Sequence, residues 1–177
     1  FIGRGLVIAV LGATFVIPAG LTIIPIVDLA SALGLMNGPW GIILALAGSG
    51  QSAAILLYAG YFRGLPKELE EAAIMDGAGF LHIFFNIMLP LAGPVTATVG
   101  VLAFLAAWNA FLIPLVFTFS APELRTLPVG MLAFVGTNET DWSGMAAAAT
   151  ISLVPVIAFF FVVQRYFVEG ISGAVKA

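Results

Sequence analysis

The sequence predicts an all-α, polytopic membrane protein, and two observations lead to that fold class. Hydrophobic residues make up 62% of the 177 residues and charged residues only 8%, whereas soluble domains are about 25% charged. The apolar residues also form uncharged runs of roughly 20 residues, the length that a helix needs to cross a bilayer core about 30 Å thick.

These apolar runs predict about four transmembrane helices. They cover residues 5–27, residues 40–62, one span within the uncharged stretch 83–122, and residues 144–163. The third stretch is long enough for two spans, so the distribution of basic residues has to decide. A single span puts all but one of the basic residues on the same side, namely Arg4, Arg63, Lys67, Arg165 and Lys176, with Arg125 opposite. The positive-inside rule favours this arrangement and assigns the loop 63–85 to the cytoplasm.

We assign the whole chain, residues 1–177, to one transmembrane domain. Because the sequence begins at Phe1 and not at Met, we expect it to be N-terminally truncated, with further spans upstream. Cys is absent, which excludes disulfides and thiol chemistry. His82 is the sole histidine and has no carboxylate cluster near it in the membrane, so we expect neither a metal site nor a cofactor.

Most of the acidic charge lies in one segment of the cytoplasmic loop, KELEEAAIMDGAGF, which runs from Lys67 to Phe80. Pro66 suits the first position of a helix, and the carboxylates that follow suit the positive end of its dipole. The Asp76-Gly77 pair is a typical helix breaker, and a second helical stretch runs from about Phe80 to Leu89. The segment therefore predicts a helix, a turn and a second helix.

This segment has two interpretations. It can be a solvated acidic loop, which composition alone favours. It can also be a helix that docks into a groove of another protein, because four small or apolar residues accompany the charges, and a docking helix needs such a contact surface. These residues are Ala72, Ala73, Ile74 and Met75. We prefer the docking helix.

The same residues resemble a known family. Glu71, Ala72, Ala73, Asp76, Gly77 and Ala78 spell EAA-xx-DGA, and Phe84, Ile87, Leu89, Pro90 and Pro94 follow. This pattern resembles the EAA loop in the permease subunits of ABC importers. The segment LRTLPVGMLAF, the pair Asp141-Trp142 and the ending QRYFVEGISGAVKA resemble the carbohydrate-importing branch, which contains the maltose and glycerol-3-phosphate permeases.

The resemblance implies the type I transmembrane-domain fold of ABC importers, usually with six spans, in the bacterial inner membrane. It implies four kinds of partner: a second permease subunit, two copies of a cytoplasmic ATPase, an extracytoplasmic solute-binding protein and membrane lipid, with no nucleic acid. In the family the EAA helix sits in a cleft of the ATPase. By this analogy Glu71 would pair with a basic group, Ala72 and Ala73 would allow close approach, and Gly77 would supply the bend.

The chain is not expected to be an enzyme. It lacks the pattern GxxxxGK[ST] that cradles nucleotide phosphates, so ATP has to be hydrolysed on a separate subunit. An alternative function is that of a secondary transporter or channel driven by an ion gradient. That class needs ionisable residues within its spans, and none lies deep in a predicted span.

Polar residues inside the spans are the candidates for a substrate path, and we select Gln51, Trp108 and Asn109. An aromatic ring beside an amide suits a sugar, since a sugar stacks on rings and hydrogen-bonds through its hydroxyls. The alternative is that Trp108 packs in the helix bundle and Asn109 bonds to a neighbouring helix.

Overall fold

The structure is a computed structural model that describes residues 2–136 and 139–174, and the described part of the chain is helical. Lys176 lies outside it, as do the other residues after 174. The helices are α1 (Arg4–Ala13), α2 (Ile23–Ala32), α3 (Pro39–Arg63), α4 (Glu68–Met75), α5 (Phe80–Leu91), α6 (Gly93–Trp108), α7 (Leu112–Phe117), α8 (Leu127–Gly130) and α9 (Trp142–Ala174). Short 3₁₀ turns and an isolated bridge between Val135 and Thr140 occupy the connections.

Two of the predicted spans are confirmed as long, continuous apolar helices. Over the described residues, the helices that can cross a membrane unbroken are Pro39–Arg63 and Trp142–Gln164. Pro39 stands at the first position of α3, where its missing N–H costs nothing. At the start of α9 the Asp141 carboxylate accepts a hydrogen bond of 2.8 Å from the Gly144 N–H, which is a side-chain helix cap.

The first predicted span is not one continuous helix. Instead of one helix over residues 5–27, the segments Arg4–Val16 and Gly20–Ala32 meet at 95°. The break falls at Ile17 and Pro18: proline has no N–H to continue the helix, and the residue before it is extended, with φ −80° and ψ 117°. The second segment also continues past the predicted end at Val27, so that Asp28 lies within α2.

The third stretch agrees with one span approached by a helix. Helices α5 and α6 qualify together as one apolar span, and they are bent by 66°. The bend lies at Ala92, and Pro90 occurs before it, inside α5. Part of α5, Phe84–Met88, is a π-helix, a wider turn that is rare in proteins and frequent at functional sites.

Two of the contacts between helices involve the long spans α3 and α9. In the first, Phe104 of α6 stacks on Phe159 of α9 with ring centroids 4.1 Å apart, and the Trp108 indole N–H donates to the Ser152 carbonyl over 3.1 Å. In the second, a buried cluster of Ala30, Ile42 and Phe117 joins α2, α3 and α7. The first contact fixes α6 against α9, and the second fixes the start of α3.

Gly41 allows the second contact to form, which gives a test of the fold. A Cβ at Gly41 would overlap the Leu35 carbonyl oxygen and lie 2.9 Å from the Phe117 ring. We expect Gly41→Ala in the full-length protein to lower the free energy of unfolding by about 1–3 kcal/mol through overpacking. Thermal unfolding in detergent measures the change.

Gly60→Ala is the matched control, because Gly60 is also in α3 and a Cβ there meets no atom within 4 Å. Since alanine favours helix, the control should be neutral or stabilising by up to about 1 kcal/mol. Equal melting temperatures for the Gly41 variant and the parent would contradict the packing described for α3 and α7.

Candidate functional site

The acidic segment forms the predicted helix, α4, but the helix begins later than expected. Its first residue is Glu68, and Pro66 lies two residues before it. The N–H groups of Glu70 and Glu71 both donate to the Lys67 carbonyl at 3.0 Å. Glu68, Glu70 and Glu71 all fall in the first turn, where the helix dipole stabilises negative charge.

The helix ends at a sharp turn centred on Gly77. The Gly77 N–H donates to the Ile74 carbonyl over 2.9 Å, and the Ala78 N–H donates to the Ala73 carbonyl over 3.0 Å. This pair of bonds is the Schellman motif, which needs a residue in the left-handed region at Gly77, and its φ is +79°. Asp76 is the last residue before the turn, and its side chain is exposed. The predicted bend is therefore built into the backbone.

The two alanines of the segment lie in different environments. Ala73 is only 6% exposed, because it is covered by this chain, whereas Ala72 is exposed. The resemblance implies that both alanines allow close approach of the ATPase, and in the described chain Ala72 is the one at the surface. Adjacent residues of a helix point to different sides. Ala73 is buried and accepts a hydrogen bond from Ala78 in the turn, while Ala72 remains at the surface.

The outer face of α4 lies opposite Ala73. Helical spacing groups four exposed side chains there: Glu68, Glu71, Ala72 and Met75. Met75 is 86% exposed and places an apolar side chain beside the carboxylates. In the whole loop 63–85, four carboxylates outnumber the basic side chains of Arg63 and Lys67. This face therefore combines negative charge with a small apolar contact, which complements a basic groove.

Two tyrosines near the end of α3 were missed by the sequence reasoning. The Tyr61 hydroxyl donates to the Leu91 carbonyl over 2.7 Å, and the Tyr58 hydroxyl donates to the Thr96 hydroxyl over 2.9 Å. Both contacts reach across to the bend between α5 and α6. The sequence contains a signal for this pair: the two tyrosines are three residues apart near the end of an apolar helix. That spacing places both hydroxyls on one face.

The structure separates the three residues selected for a substrate path. Trp108 and Asn109 lie at the end of α6, whereas Gln51 is an exposed residue in the middle of α3. Trp108 packs, with its N–H bound to Ser152 and its ring stacked on Phe104. The Asn109 amide donates to the Leu105 carbonyl of its own helix over 2.8 Å, and not to a neighbouring helix. Among the described residues, no hydrogen bond joins Gln51 to either of them.

A cleft of about 830 Å³ lies between the first bent helix pair and α3. Its walls are mainly apolar, and the small residues Gly48, Ser49 and Ser52 of α3 contribute to one side. A Cβ added at Gly48 would meet no atom within 4 Å. Within the described ranges this small-residue face thus borders open space and does not pack against a helix. Gln51 is not among the residues that line the cleft.

Within residues 2–136 and 139–174, no three His, Asp or Glu side chains come close enough to hold a metal ion together.

Comparison with known proteins gives one family for this chain. The model of the family described as "Binding-protein-dependent transport system inner membrane component" matches residues 2–173. The osmoprotective compounds uptake permease protein GgtD of Synechocystis is 36% identical over 178 residues, which is 100% of this chain and 60% of GgtD. The melibiose/raffinose/stachyose import permease protein MelC of Bacillus subtilis is 35% identical over 96% of this chain and 62% of MelC.

A solved structure supports the same assignment. A bacterial ABC transporter involved in the import of the acidic polysaccharide alginate contains a chain with a TM-score of 0.75 and 28% identity to this protein, covering 94% of this chain and 63% of that one. The chain spans about three fifths of the length of these relatives. With its apolar helices and its match from residue 2 to residue 173, the chain belongs to the family of inner membrane components of binding-protein-dependent transport systems.

Proposed function

We propose that this chain is the permease subunit of an ATP-driven ABC importer that moves a carbohydrate across the cytoplasmic membrane. Residues 1–177 would form one transmembrane domain, with the loop 63–85 as its coupling element. The observation that carries the proposal is the outer face of α4, which presents Glu71 and Ala72 on a short helix that ends in a fixed bend at Gly77.

The geometry of the loop suits the transmission of movement. Helix α4 follows the long span α3 after four residues, and the bent pair α5 and α6 begins four residues after α4 ends. A force on α4 would therefore reach helices on both sides of the loop without crossing a long flexible segment. Short, rigid connections of this kind are suited to hinge or shear movements.

The proposed partners follow from the family and from the charge of the loop. A cytoplasmic ATPase, present in two copies, would receive α4 in a basic groove and hydrolyse the ATP. A second permease subunit would complete the membrane part, an extracytoplasmic solute-binding protein would deliver the substrate, and lipid would cover the remaining apolar surface. Importers driven by an ion gradient are not favoured, because the family is that of binding-protein-dependent systems.

The substrate class rests on the relatives. MelC is described as importing melibiose, raffinose and stachyose, and the structural neighbour as importing alginate, so a sugar or oligosaccharide is the proposed cargo. The first test is to purify the full-length protein from its native membrane and to identify what accompanies it. An ATPase and a binding protein loaded with sugar would support the proposal; a protein that is isolated alone and takes up its substrate without ATP would contradict it.

The charge of Glu71 gives a second test. We expect Glu71→Lys to leave the protein in the membrane but to lower sugar uptake at least tenfold, because reversing one partner of a buried charge pair costs about 2 kcal/mol or more. Uptake into proteoliposomes and co-purification of the ATPase measure the effect. Glu70→Lys is the matched control, since it changes the same charge in the same helical turn away from the outer face. Equal uptake by both variants and the parent would contradict the role of Glu71.

The turn at Gly77 gives a third test. Gly77→Pro cannot adopt a φ of +79° and loses the N–H that bonds to Ile74, so we expect transport to be uncoupled from ATP hydrolysis. Gly77→Asn should retain most of the coupling, because asparagine tolerates the left-handed region. Gly79→Ala is the control: Gly79 is extended, at φ −76°, and a Cβ there meets nothing within 4 Å. Sugar transported per ATP hydrolysed is the measured quantity, and full coupling in the proline variant would refute the bend as a coupling element.

The substrate path gives a fourth test, which distinguishes residues that bind the sugar from a residue that packs between helices. If Gln51 and Asn109 bond sugar hydroxyls, Gln51→Ala and Asn109→Ala should each raise the KM for uptake about fivefold, the effect of one lost hydrogen bond. Trp108→Phe should lower thermal stability more than it changes the KM, because its N–H holds α6 to α9. Unchanged KM values in both alanine variants would remove Gln51 and Asn109 from the path.

A further inference from the structure

The bend between α5 and α6 is held by a chain of hydrogen bonds from α3. The Tyr61 hydroxyl donates to the carbonyl of Leu91, directly before the bend. The Tyr58 hydroxyl donates to the Thr96 hydroxyl over 2.9 Å, and the Thr96 hydroxyl donates to the carbonyl of Ala92 over 2.8 Å, at the bend itself. Two phenols of one helix therefore reach two consecutive carbonyls of the neighbouring chain segment, one directly and one through a threonine.

These carbonyls lie where the regular helix is interrupted. The helix is bent by 66° here, and inside a membrane protein neighbouring side chains can satisfy carbonyls beside such a break. The Ala92 carbonyl also accepts the Thr96 N–H over 2.9 Å, so the Thr96 hydroxyl adds a second bond to it. Ala92 is fully buried and Val95 is nearly so, which shows that the bend is packed closely. The tyrosine hydroxyls thus tie α3 to a closely packed bend, Tyr61 through the Leu91 carbonyl and Tyr58 through the Thr96 hydroxyl.

These hydrogen bonds also join the two ends of the loop 63–85. Tyr61 lies two residues before the loop 63–85, and Leu91 lies six residues after it, so the bond between them closes the loop at its base. We propose that Tyr58, Tyr61 and Thr96 form a clasp that makes α3 and the α5–α6 bend move as one body when α4 is displaced. The three residues are positioning residues for coupling, and the inference rests on the proposed function.

The rings of the clasp are held independently of their hydroxyls. Tyr58 stacks on Phe62 with centroids 6.2 Å apart, and Tyr61 contacts the same ring edge-on at 6.1 Å. A change from tyrosine to phenylalanine therefore retains the aromatic packing and removes the hydrogen bond. Thr96 and Thr98 provide a matched pair, because the Thr98 hydroxyl bonds to Pro94 within its own helix and takes no part in the clasp.

The first experiment measures sugar transported per ATP hydrolysed by the assembled transporter in proteoliposomes. We expect Tyr61→Phe and Thr96→Val each to lower this ratio about fivefold, the change that loss of one ordinary hydrogen bond produces in an equilibrium constant. The KM for ATP should not change, since neither residue is near the outer face of α4. Thr98→Val and Thr96→Ser should retain the parental ratio, the first because it leaves the clasp intact and the second because it keeps the hydroxyl. Parental ratios in all four variants, or equal losses in Thr96→Val and Thr98→Val, would overturn the clasp.

The second experiment does not depend on transport. Spin labels at Glu70→Cys in α4 and Leu102→Cys in α6 report the distance between the loop and the span, and both positions are exposed. The parent transporter should give one narrow distance distribution, and Tyr61→Phe should broaden it while Thr98→Val does not. Unchanged distributions in the Tyr61 variant would overturn the clasp even if the proposed function holds. Broadening without ATP-driven uptake in the parent would support the clasp and refute the proposed function.

Discussion

The satisfaction of backbone hydrogen bonds is the constraint on which the rest of this structure depends. A chain with so few charges lies largely in the bilayer, where little water reaches its N–H and carbonyl groups. Its apolar runs therefore form helices, in which each segment makes its own backbone hydrogen bonds. At the ends and bends of helices, these groups need other hydrogen-bond partners. Asp141 caps α9, the carbonyls of Ala73 and Ile74 are bonded in the Gly77 turn, and those of Leu91 and Ala92 receive side-chain hydroxyls.

The breaks in the helices are also where the functional proposals lie. The turn at Gly77 orients α4, and the bend at Ala92 receives the bonds of the tyrosine clasp. Between them lies the π-helical segment of α5, a third departure from regular geometry within a short stretch. The proposed transmission of force needs a loop that is stiff at each change of direction, and two of these changes carry specific hydrogen bonds.

The long spans are held to the rest of the chain by few contacts. In both α3 and α9 only 6% of the apolar window is buried by this chain. In water such exposure would be unfavourable by many kilocalories per mole, so these surfaces belong against lipid or other helices. The contacts that do form are specific ones, such as the stacking of Phe104 on Phe159 and the Trp108 hydrogen bond. The open cleft beside Gly48 likewise leaves part of α3 uncovered in the described residues.

The sequence by itself determined the fold class, the two continuous spans, the acidic helix and the left-handed turn, because each depends on local composition or on the preference of one residue such as Gly77. The break at Pro18 and its angle came from the structure, since the direction of a broken helix depends on what it packs against. Only the tertiary structure decided that Ala73 faces inward, that Trp108 bonds across to Ser152 and that the Tyr61 hydroxyl meets Leu91. Each of these is a contact between segments distant in sequence or a choice between two faces of one helix, which periodicity in a nearly uniform apolar chain does not specify.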